Sequence, residues 1–339
     1  MKKLLNGIGL GTFPFASPFT VIDELTSSKI LNLFLDNGGQ YIDTAPTYSF
    51  GAVESFLGSA LKNINRSKYF ICTSCGFVLN DSHQFDVSGK YEHVIKDCEE
   101  SLKRLGLDYI DLYISHIPDP KTPFSETIGA MNELKKQGKV RKLGVSNVTL
   151  DQLKEYRKYG LIEYVQNRFS LINRSLDAEF IKYCEENNVG ITAYQVIERG
   201  LLTNNAATLV LREGDLRNKK AEFASDIRER IGRWVAQYLV PIANELNIAV
   251  TTLVIWWALN QPGIALCQAG ATSEKQILDN IKVLSFTPPS GTLERLNKSY
   301  SILEEEIKKE YSRSVREFMG LAQYNLYSGS ASGKVPPSK

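Results

Sequence analysis

Short apolar runs of four to seven residues recur along almost the whole chain, and between them apolar residues return every three or four positions. The runs are typical of buried β-strands, whereas the second spacing is typical of helices that bury one face. In residues 24–38, for example, Ile30, Leu33 and Phe34 fall on one helical face, and Gly38 follows as glycine often does after a last helical turn. We predict eight strands, at residues 7–11, 40–44, 69–74, 109–115, 142–146, 164–167, 190–194 and 264–269.

This alternation of strands and helices predicts a (β/α)8 TIM barrel, an α/β fold. A doubly wound sheet is the other α/β candidate, but no Gly-x-Gly-x-x-Gly sequence follows the first strand. We predict a barrel over residues 1–325, with a long, charged loop insertion at about residues 203–232, and a flexible tail over residues 326–339. Because the insertion follows the seventh strand, it is expected to emerge at the C-terminal face of the barrel, where active sites are built.

The charge and composition of the chain argue against two classes of partner. Its 40 basic and 38 acidic residues leave a formal net charge of +2, which gives no support for a nucleic-acid or membrane surface. No apolar run approaches the ~20 residues that cross a bilayer. Five cysteines, an odd number in a chain of this length, are typical of reduced thiols, so we predict a cytoplasmic protein. We expect a small-molecule substrate, no nucleic acid, no membrane, and either a monomer or a homo-oligomer.

Cys72 and Cys75 have the Cys-x-x-Cys spacing of redox and metal sites, but they lie in or next to the third predicted strand. Residues three apart on a strand point to opposite faces, so these two side chains are not expected to share a metal or a disulfide. None of the three histidines, His83, His93 and His116, lies at a zinc spacing. We therefore predict no metal site.

Polar side chains with acid–base chemistry follow two of the predicted strands. Asp43 lies at the end of the second strand and Tyr48 five residues further on, whereas His116 follows the fourth strand. Tyrosine can donate a proton to a developing alkoxide, histidine can orient or polarise a carbonyl, and a buried carboxylate can set their protonation. Each residue alone is weak evidence, because aspartate and tyrosine are common at strand ends.

A longer series of motifs resembles one family, the aldo-keto reductases, barrel enzymes that reduce carbonyls with a nicotinamide cofactor. The series covers roughly residues 5–285 and follows the family's order along the chain. The resemblance therefore implies the TIM barrel and an NAD(P)H-dependent oxidoreductase. The matching segments are 9–12 (GLGT), 41–48 (YIDTAPTY), 104–113 (RLGLDYIDLY), 116–119 (HIPD), 138–147 (GKVRKLGVSN), 166–171 (QNRFSL), 193–194 (AY), 199–202 (RGLL) and 270–280 (GATSEKQILDN).

The resemblance also implies roles for individual residues. Tyr48 corresponds to the general acid, His116 to the residue that orients the substrate, and Asp43 to the charge that supports both. The residues that the resemblance assigns to the cofactor are Gly11 and Thr12 on its path; Ser146, Asn147 and Gln166 at the nicotinamide amide; Tyr194 on the nicotinamide ring; Gln195, Val196 and Ile197 along the pyrophosphate; Thr272, Gln276, Asp279 and Asn280 at the adenosine end; and Asp43, Arg199 and Gly270 as further cofactor-binding residues.

The family's fourth catalytic residue, a lysine that ends the third strand in a Thr-Lys-x-Gly context, is missing from this chain. Residues 73–76 are Thr-Ser-Cys-Gly, so Ser74 stands at the lysine's position as the fourth catalytic candidate. The usual lysine pairs with the aspartate and lowers the pKa of the tyrosine. Without that cation, a buried Asp43 is expected to hold a proton or to accept a hydrogen bond from Ser74, and an ionised Asp43 to raise the pKa of Tyr48.

Ser74 leaves three hypotheses open. The first is an oxidoreductase acting on the carbonyl or hydroxyl of a substrate that needs less acid help, for which we favour a small polar molecule such as a sugar or nucleotide-sugar. The second is a redox-neutral elimination or isomerisation in which Tyr48 or His116 shuttles a proton. The third is a barrel that binds cofactor without turnover and reports redox state to a partner. Asp43, Tyr48 and His116 together argue against the third.

The cofactor that we expect is NADPH, with NADH as the close alternative. Residues 195–197 are Gln-Val-Ile where many relatives have Ser-Pro-Leu, and residues 272–276 lack the arginine that many relatives aim at the 2′-phosphate. Lys275 is one candidate to replace that arginine. The other candidates lie in the insertion and are Arg212, Arg217, Lys219 and Lys220.

Aromatic side chains near the strand ends are candidates to line the substrate pocket, namely Phe13, Phe15, Phe50 and Phe77. They are equally good candidates for the core between strands and helices. Residues 317–327 lie where relatives place a C-terminal flap over the substrate, and their aromatic side chains suit either a flap or an oligomer contact.

Overall fold

Within the part of the chain that the structure describes, eight parallel strands close into a barrel. The structure is a computed structural model that describes residues 4–15, 22–80, 82 and 84–321. The predicted tail at residues 326–339, the end of the predicted flap and His83 lie outside the described residues. The strands are β1 (Ile8–Gly11), β2 (Tyr41–Asp43), β3 (Phe70–Cys75), β4 (Phe77–Leu79), β5 (Phe85–Val87), β6 (Ile110–Ser115), β7 (Val140–Ser146), β8 (Tyr164–Arg168), β9 (Gly190–Tyr194) and β10 (Ile264–Ala269).

The strands of the barrel follow one another in the order β1-β10-β9-β8-β7-β6-β3-β2, and β2 pairs with β1 to close the ring. The two remaining strands, β4 and β5, form a separate antiparallel hairpin just beyond the end of β3. All barrel pairings are parallel, so the carboxyl ends of these eight strands share one rim. This is the fold that the alternation of apolar runs predicted, and it sets the polar strand ends around a common opening.

Helices connect the strands and cover the outside of the barrel. The helix α1 begins after Asp23, whose side chain accepts a hydrogen bond from the backbone of Thr26, and α5 begins with a capping box between Thr149 and Gln152. The helices are α1 (Glu24–Asp36), α2 (Ala52–Leu61), α3 (Tyr91–Leu105), α4 (Phe124–Lys136), α5 (Leu150–Arg157), α6 (Ala178–Glu186), α7 (Ser225–Trp234), α8 (Val240–Glu245), α9 (Val250–Leu259), α10 (Glu274–Ile281), α11 (Thr292–Tyr311) and α12 (Val315–Phe318), with a π-helical segment at Val235–Leu239.

Each of the eight predicted strands is a strand of the barrel, with bounds that differ from the prediction by at most two residues. The β4–β5 hairpin was not predicted from the sequence. The predicted insertion at residues 203–232 does leave β9 at the rim, but its last eight residues are not a loop. They form the first turns of α7, in which Ile227 and Ile231 are buried.

The core has two parts, and the two cysteines of the Cys-x-x-Cys sequence lie in different ones. Cys72 packs inside the barrel with Tyr41, Leu112 and Leu266. Cys75 belongs to the larger layer between strands and helices. Both are buried free thiols. The prediction that these side chains point to opposite faces of β3 is confirmed, and the spacing marks strand packing.

In the described residues, no single helix is long and apolar enough to cross a membrane. One bent pair, Ser225–Glu245 with Val250–Leu259 at 89°, meets the criteria of length and composition together. Over the same residues, no group of three or more histidine, cysteine, aspartate or glutamate side chains is arranged to hold a metal ion.

Candidate active site

A cavity of about 2300 Å³ opens at the rim formed by the carboxyl ends of the barrel strands. Most of the residues that the sequence assigned to the site line it. Those residues are Gly11, Asp43, Tyr48, His116, Ser146, Asn147, Gln166, Tyr194, Gln195, Ile197, Arg199, Gly270, Thr272, Gln276, Asp279 and Asn280.

Three predicted site residues do not line the cavity with their side chains. Thr12 is buried, and its hydroxyl donates to the backbone carbonyl of Asp43 at 2.7 Å, which ties β1 to β2. Val196 has its side chain in the hydrophobic core, so a contact of this residue with a cofactor would have to come from its backbone. Ser74 is buried against His116. For Thr12 and Val196 a direct side-chain role in cofactor binding is therefore not supported.

The carboxylate of Asp43 is held by neutral groups. The side-chain amide of Gln166 donates to Asp43 Oδ2 at 2.9 Å, and the thiol of Cys72 and the amide of Gln268 also hydrogen-bond to this carboxylate. Burial raises the pKa of Asp43 to about 7, and these three hydrogen bonds only partly oppose the rise. The expectation that Asp43 holds a proton agrees with this pKa. The alternative donor, Ser74, is wrong, because Ser74 hydrogen-bonds elsewhere.

Ser74 pairs with His116. Its Oγ lies 2.9 Å from His116 Nδ1, and the backbone amide of His116 donates to the carbonyl of Cys75, the next residue of β3. Burial lowers the pKa of His116 to about 4, so the imidazole is neutral at physiological pH. Ser74 therefore hydrogen-bonds to the histidine and not to the carboxylate of Asp43.

Tyr48 begins a tight 3₁₀ turn, Tyr48–Gly51, in the loop after β2. Ser49 and Phe50 have φ angles of 47° and 55°, in the left-handed region that side chains other than glycine rarely adopt, and Gly51 has a φ of 85°. Three left-handed residues in succession turn the chain sharply, so that both Tyr48 and Phe50 line the cavity. Burial, followed by the charge of Asp43, raises the pKa of Tyr48 well above its usual value. The phenol is therefore protonated at neutral pH.

The residues assigned to the nicotinamide amide form a connected network at the ends of β7, β8 and β9. Asn147 has a φ of 58°, and its side-chain amide donates to the carbonyl of His116 at 2.9 Å and to Ser146 Oγ at 3.1 Å. The hydroxyl of Tyr194 donates to Asn147 Oδ1 at 2.6 Å. Gln166 likewise already donates a hydrogen bond, to Asp43. A nicotinamide carboxamide that bound here would therefore replace hydrogen bonds that these side chains make with one another.

The residues assigned to the adenosine end surround the start of α10. Gln276 Oε1 accepts from the backbone amide of Thr272 at 2.8 Å, and Lys275 forms an ion pair with Asp279 at 2.5 Å. Asn280 donates to the carbonyl of Gly270 at 3.2 Å.

Two buried polar atoms on the cavity wall show where a polar ligand fits. In the described residues, Asn280 Oδ1 and Gln195 Oε1 have no hydrogen-bond partner. Unpaired buried acceptors are costly, and a ligand that brings donors to both would satisfy them. Asn280 lies in the segment assigned to the adenosine end, where an adenine amino group or a ribose hydroxyl can donate to it. A pyrophosphate has no donor for Gln195 Oε1, so a ribose hydroxyl next to it would have to fill that role, and with that contact the residues present fit a dinucleotide.

The insertion contributes part of the wall of the cavity. Arg217, Lys219 and Lys220 line it, whereas the fourth candidate for the 2′-phosphate, Arg212, does not. Arg217 is paired with Asp215 at 2.6 Å and donates to the carbonyl of Arg199 at 3.1 Å. The insertion is thereby attached to the loop that follows β9.

A buried ionic cluster holds the end of the insertion in place, and it was not predicted from the sequence. The guanidinium of Arg168, at the end of β8, contacts the carboxylates of Glu198 and Glu222, and Arg199 donates to Glu222 at 3.1 Å. Glu198 and Glu222 are almost fully buried. Arg168 and Arg199 lie in the matching segments 166–171 and 199–202, whereas the sequence analysis assigned no role to Glu198 or Glu222.

Aromatic rings form the wall next to Tyr48 and His116. The ring of Phe13 packs edge-on against Tyr48 at 5.3 Å, and that of Phe77 packs edge-on against His116 at 5.2 Å. Phe50 stacks on Phe85 at 5.0 Å. These four phenylalanines line the cavity. Phe85 was missed because it lies in the unpredicted hairpin.

Of the four phenylalanines for which pocket and core were both left open, Phe15 is the one that belongs to the core. Phe15 does not line the cavity but is fully buried in the core, where it packs edge-on against Phe56. At the other edge of the cavity, Arg316 and Leu321 contribute to the wall, and the rest of the predicted C-terminal flap continues outside the described residues.

A family model, that of the Aldo/keto reductase family, matches residues 7–301. The chain belongs to this family. An NADH-specific methylglyoxal reductase of Escherichia coli is 30% identical over 297 residues, which are 83% of this chain and 90% of the relative. A glycerol dehydrogenase from Gluconobacter oxydans, 24% identical, has the same fold with a TM-score of 0.76 over 90% of this chain and 92% of its own. An aldo-keto reductase from Klebsiella pneumoniae, solved with NADP and acetate, is 23% identical with a TM-score of 0.68 over 88% and 96%.

As an aldo/keto reductase, this protein is an oxidoreductase with a (β/α)8 barrel. At its rim, Asp43, Tyr48 and His116 line one cavity. Ser74, which the resemblance places at the position of the family's lysine, is a neutral residue buried against His116. The arrangement can therefore donate hydrogen bonds to a carbonyl oxygen from a neutral phenol and a neutral imidazole, without a lysine between them.

Proposed function

We propose that this aldo-keto reductase transfers hydride between a nicotinamide cofactor and the carbonyl or hydroxyl group of a small molecule bound between Tyr48 and His116. The observation that carries the proposal is that both side chains line the same cavity as the residues assigned to the nicotinamide, Asn147 and Tyr194. Tyrosine and histidine side chains that converge on one opening can hold a single carbonyl oxygen.

The side chains of the protein supply the proton and the orientation. Tyr48, protonated at neutral pH, gives its proton to the carbonyl oxygen as negative charge develops there. His116, neutral because it is buried, donates or accepts one hydrogen bond without adding charge to the site. A bound NAD(P)H would supply the hydride. Because the pKa of Tyr48 is high, we expect a substrate whose carbonyl is readily reduced or whose own hydroxyl groups share the developing charge.

NADPH is the cofactor that we propose, with NADH as the alternative. Lys219 and Lys220 line the cavity as cations suited to a 2′-phosphate, which supports NADPH. The lack of an arginine in residues 272–276 and the NADH-specific relative support the alternative. Titration of the purified protein with each dinucleotide, followed by tryptophan fluorescence, distinguishes the two.

The substrate that we propose is small and polar, such as a sugar or nucleotide-sugar. The rings of Phe13, Phe50 and Phe77 can pack against the C–H face of a sugar, while its hydroxyl groups meet the polar wall formed by residues such as Gln84 and Asn147. A planar aldehyde would use the same rings and lack the polar contacts, so a panel of both kinds tests the substrate class.

The experiment incubates the purified protein with reduced cofactor and a panel of sugars, small dicarbonyls and aromatic aldehydes. Oxidation of the cofactor is followed by absorbance, and products are identified by mass spectrometry. Stoichiometric formation of alcohol and oxidised cofactor supports the proposal. Conversion of substrate with the cofactor unchanged would instead establish the redox-neutral elimination or isomerisation. Binding of the dinucleotide with no conversion of any compound would favour a cofactor-binding sensor.

A further inference from the structure

Ser74 and His116 are held in register by two neighbouring strands of the barrel. Ser74 pairs with Ile114 across the β3–β6 ladder, and His116 follows β6 with its backbone amide hydrogen-bonded to Cys75. The contact between Ser74 Oγ and His116 Nδ1, at 2.9 Å, is thus made by side chains on rigid elements. Phe77 packs edge-on against the imidazole. The ring has little freedom to turn.

Among the described residues, the hydroxyl proton of Ser74 has one hydrogen-bond acceptor, His116 Nδ1. Ser74 is only 6% exposed. If Ser74 Oγ accepted a hydrogen bond from Nδ1–H, the serine's own hydroxyl proton would lack an acceptor among these residues. If Ser74 donates to Nδ1, nothing is left unpaired, and the proton of the neutral imidazole must sit on Nε2.

We propose that Ser74 is a positioning residue that fixes His116 as the tautomer protonated at Nε2, so that the imidazole presents an N–H donor to the substrate oxygen beside the Tyr48 phenol. The proposal rests on the proposed function for its consequence in catalysis, but the tautomer itself does not depend on a substrate. It assigns Ser74 a contribution that differs in kind from that of the family's lysine. The lysine adjusts the acidity of the tyrosine, whereas the serine selects which histidine nitrogen carries the proton.

The protein contains its own control for this inference. Ser88 Oγ lies 2.6 Å from Nδ1 of His93, so a second serine–histidine pair is present. Neither Ser88 nor His93 lines the cavity. Loss of the Ser88 hydroxyl should therefore change the tautomer of His93 without reaching the candidate active site.

The test is nitrogen-15 NMR of the imidazole rings in full-length protein with labelled histidine, where the two ring nitrogens give distinct signals in each tautomer. A His116→Gln variant assigns the His116 signals. We expect His116 to be protonated at Nε2 in the wild type, to populate both tautomers in Ser74→Ala, and to recover the wild-type pattern in Ser74→Thr. The Ser88→Ala variant should change the His93 signals and leave those of His116 unaltered.

Kinetics provide the second readout. In Ser74→Ala, kcat should fall roughly 10²-fold, as when one donor to a developing oxyanion is lost, with the dissociation constant of the cofactor unchanged. In Ser74→Thr it should be largely restored. Protonation of His116 at Nδ1 in the wild type would overturn the proposal, as would a Ser74→Ala variant with an unchanged His116 spectrum. If Ser74→Ala does not fold, the wild-type tautomer alone decides.

The two proposals can fail separately. The absence of carbonyl turnover in the wild type would count against the proposed function while the ring spectrum still decides the role of Ser74. Normal turnover with the Nδ1–H tautomer would count against Ser74 as a positioning residue and leave the proposed function standing.

Discussion

The side-chain amide of Gln166 donates a hydrogen bond to the Asp43 carboxylate at 2.9 Å. Together with Cys72 and Gln268, it surrounds the carboxylate with neutral donors. Amide and thiol donors stabilise an ionised carboxylate less than an ammonium group does, which is why burial dominates and the pKa of Asp43 rises to about 7. The charge of this site therefore changes close to physiological pH.

This pKa predicts a pH-dependent stability for Asp43. A carboxyl group whose pKa rises from 3.8 unfolded to about 7 folded stabilises the protein below the unfolded value, and this contribution is lost as pH rises through the folded value. An Asp43→Asn variant does not titrate. Its free energy of unfolding should therefore rise relative to that of the wild type by about 3 kcal/mol between about pH 5 and about pH 8.

Urea denaturation of the two proteins at several pH values measures this difference. Other buried groups, such as His116 and Asp97, titrate in both proteins and drop out of it. Asp36→Asn removes a carboxylate from an exposed position of α1 and is the matched control for the loss of one negative charge without burial. A difference for Asp43→Asn that stays constant with pH would mean that the carboxylate is ionised throughout.

The barrel could be predicted from the sequence because a parallel strand buried on both faces leaves a continuous apolar run. The rim residues followed from the strand ends together with the family motifs, since every parallel strand ends on the same side of the sheet. Asp43, Tyr48 and His116 were brought to one cavity in this way.

The hydrogen-bond partners within the site could not be predicted. Ser74 and His116 are 42 residues apart, and Asp43 and Gln166 are 123 apart. The acceptor with which a hydroxyl forms its hydrogen bond depends on the side-chain rotamers and on the position of each neighbouring ring. Neither produces a pattern in the sequence. The β4–β5 hairpin was missed for a related reason, because strands of three residues are too short to show alternation.

Replacing each of two helical glycines by alanine should change stability in opposite directions. A Cβ at Gly58 of α2 would lie 2.4 Å from the carbonyl oxygen of Arg104 and 2.9 Å from that of Leu105, so Gly58→Ala forces α2 away from the end of α3. We expect a loss of about 1–3 kcal/mol in the free energy of unfolding. A Cβ at Gly129 of α4 would meet nothing within 4 Å, so Gly129→Ala should add about 0.5–1 kcal/mol.

The midpoints of urea denaturation, measured for Gly58→Ala, Gly129→Ala and the wild type, test both expectations. Because neither glycine lines the cavity, cofactor affinity should stay unchanged in the variants that fold. Equal effects at the two positions would mean that α2 and α3 are not packed as closely as the structure has them.

Tyr48→Phe should remove the proton donor and leave the ring. We expect kcat for carbonyl reduction to fall by about 10²- to 10⁴-fold, with the dissociation constant of the dinucleotide unchanged within about twofold. Tyr91→Phe is the matched control, because Tyr91 is 42% exposed on α3 and does not line the cavity. Retention of most activity in Tyr48→Phe would mean that Tyr48 is not the proton donor and would favour His116 in that role.

Lys275 tests the recognition of a 2′-phosphate. Its ammonium lies 2.5 Å from Asp279, which neutralises part of its charge, and it is exposed to solvent, so its contribution to anion binding should be small. We expect Lys275→Ala to weaken NADPH binding by about two- to fivefold and to leave NADH binding unchanged, with the difference shrinking as salt is added.

Lys29→Ala is the control for Lys275, because Lys29 pairs with the neighbouring Glu274 at 3.2 Å and does not line the cavity. Fluorescence titrations of the wild type and of each variant with both dinucleotides give the dissociation constants needed. A selective loss of NADPH affinity in Lys219→Ala or Lys220→Ala, with none in Lys275→Ala, would assign the 2′-phosphate to the insertion. Equal losses for NADPH and NADH in Lys275→Ala would show that the lysine acts on a part of the cofactor that both share, since the two differ only in that phosphate.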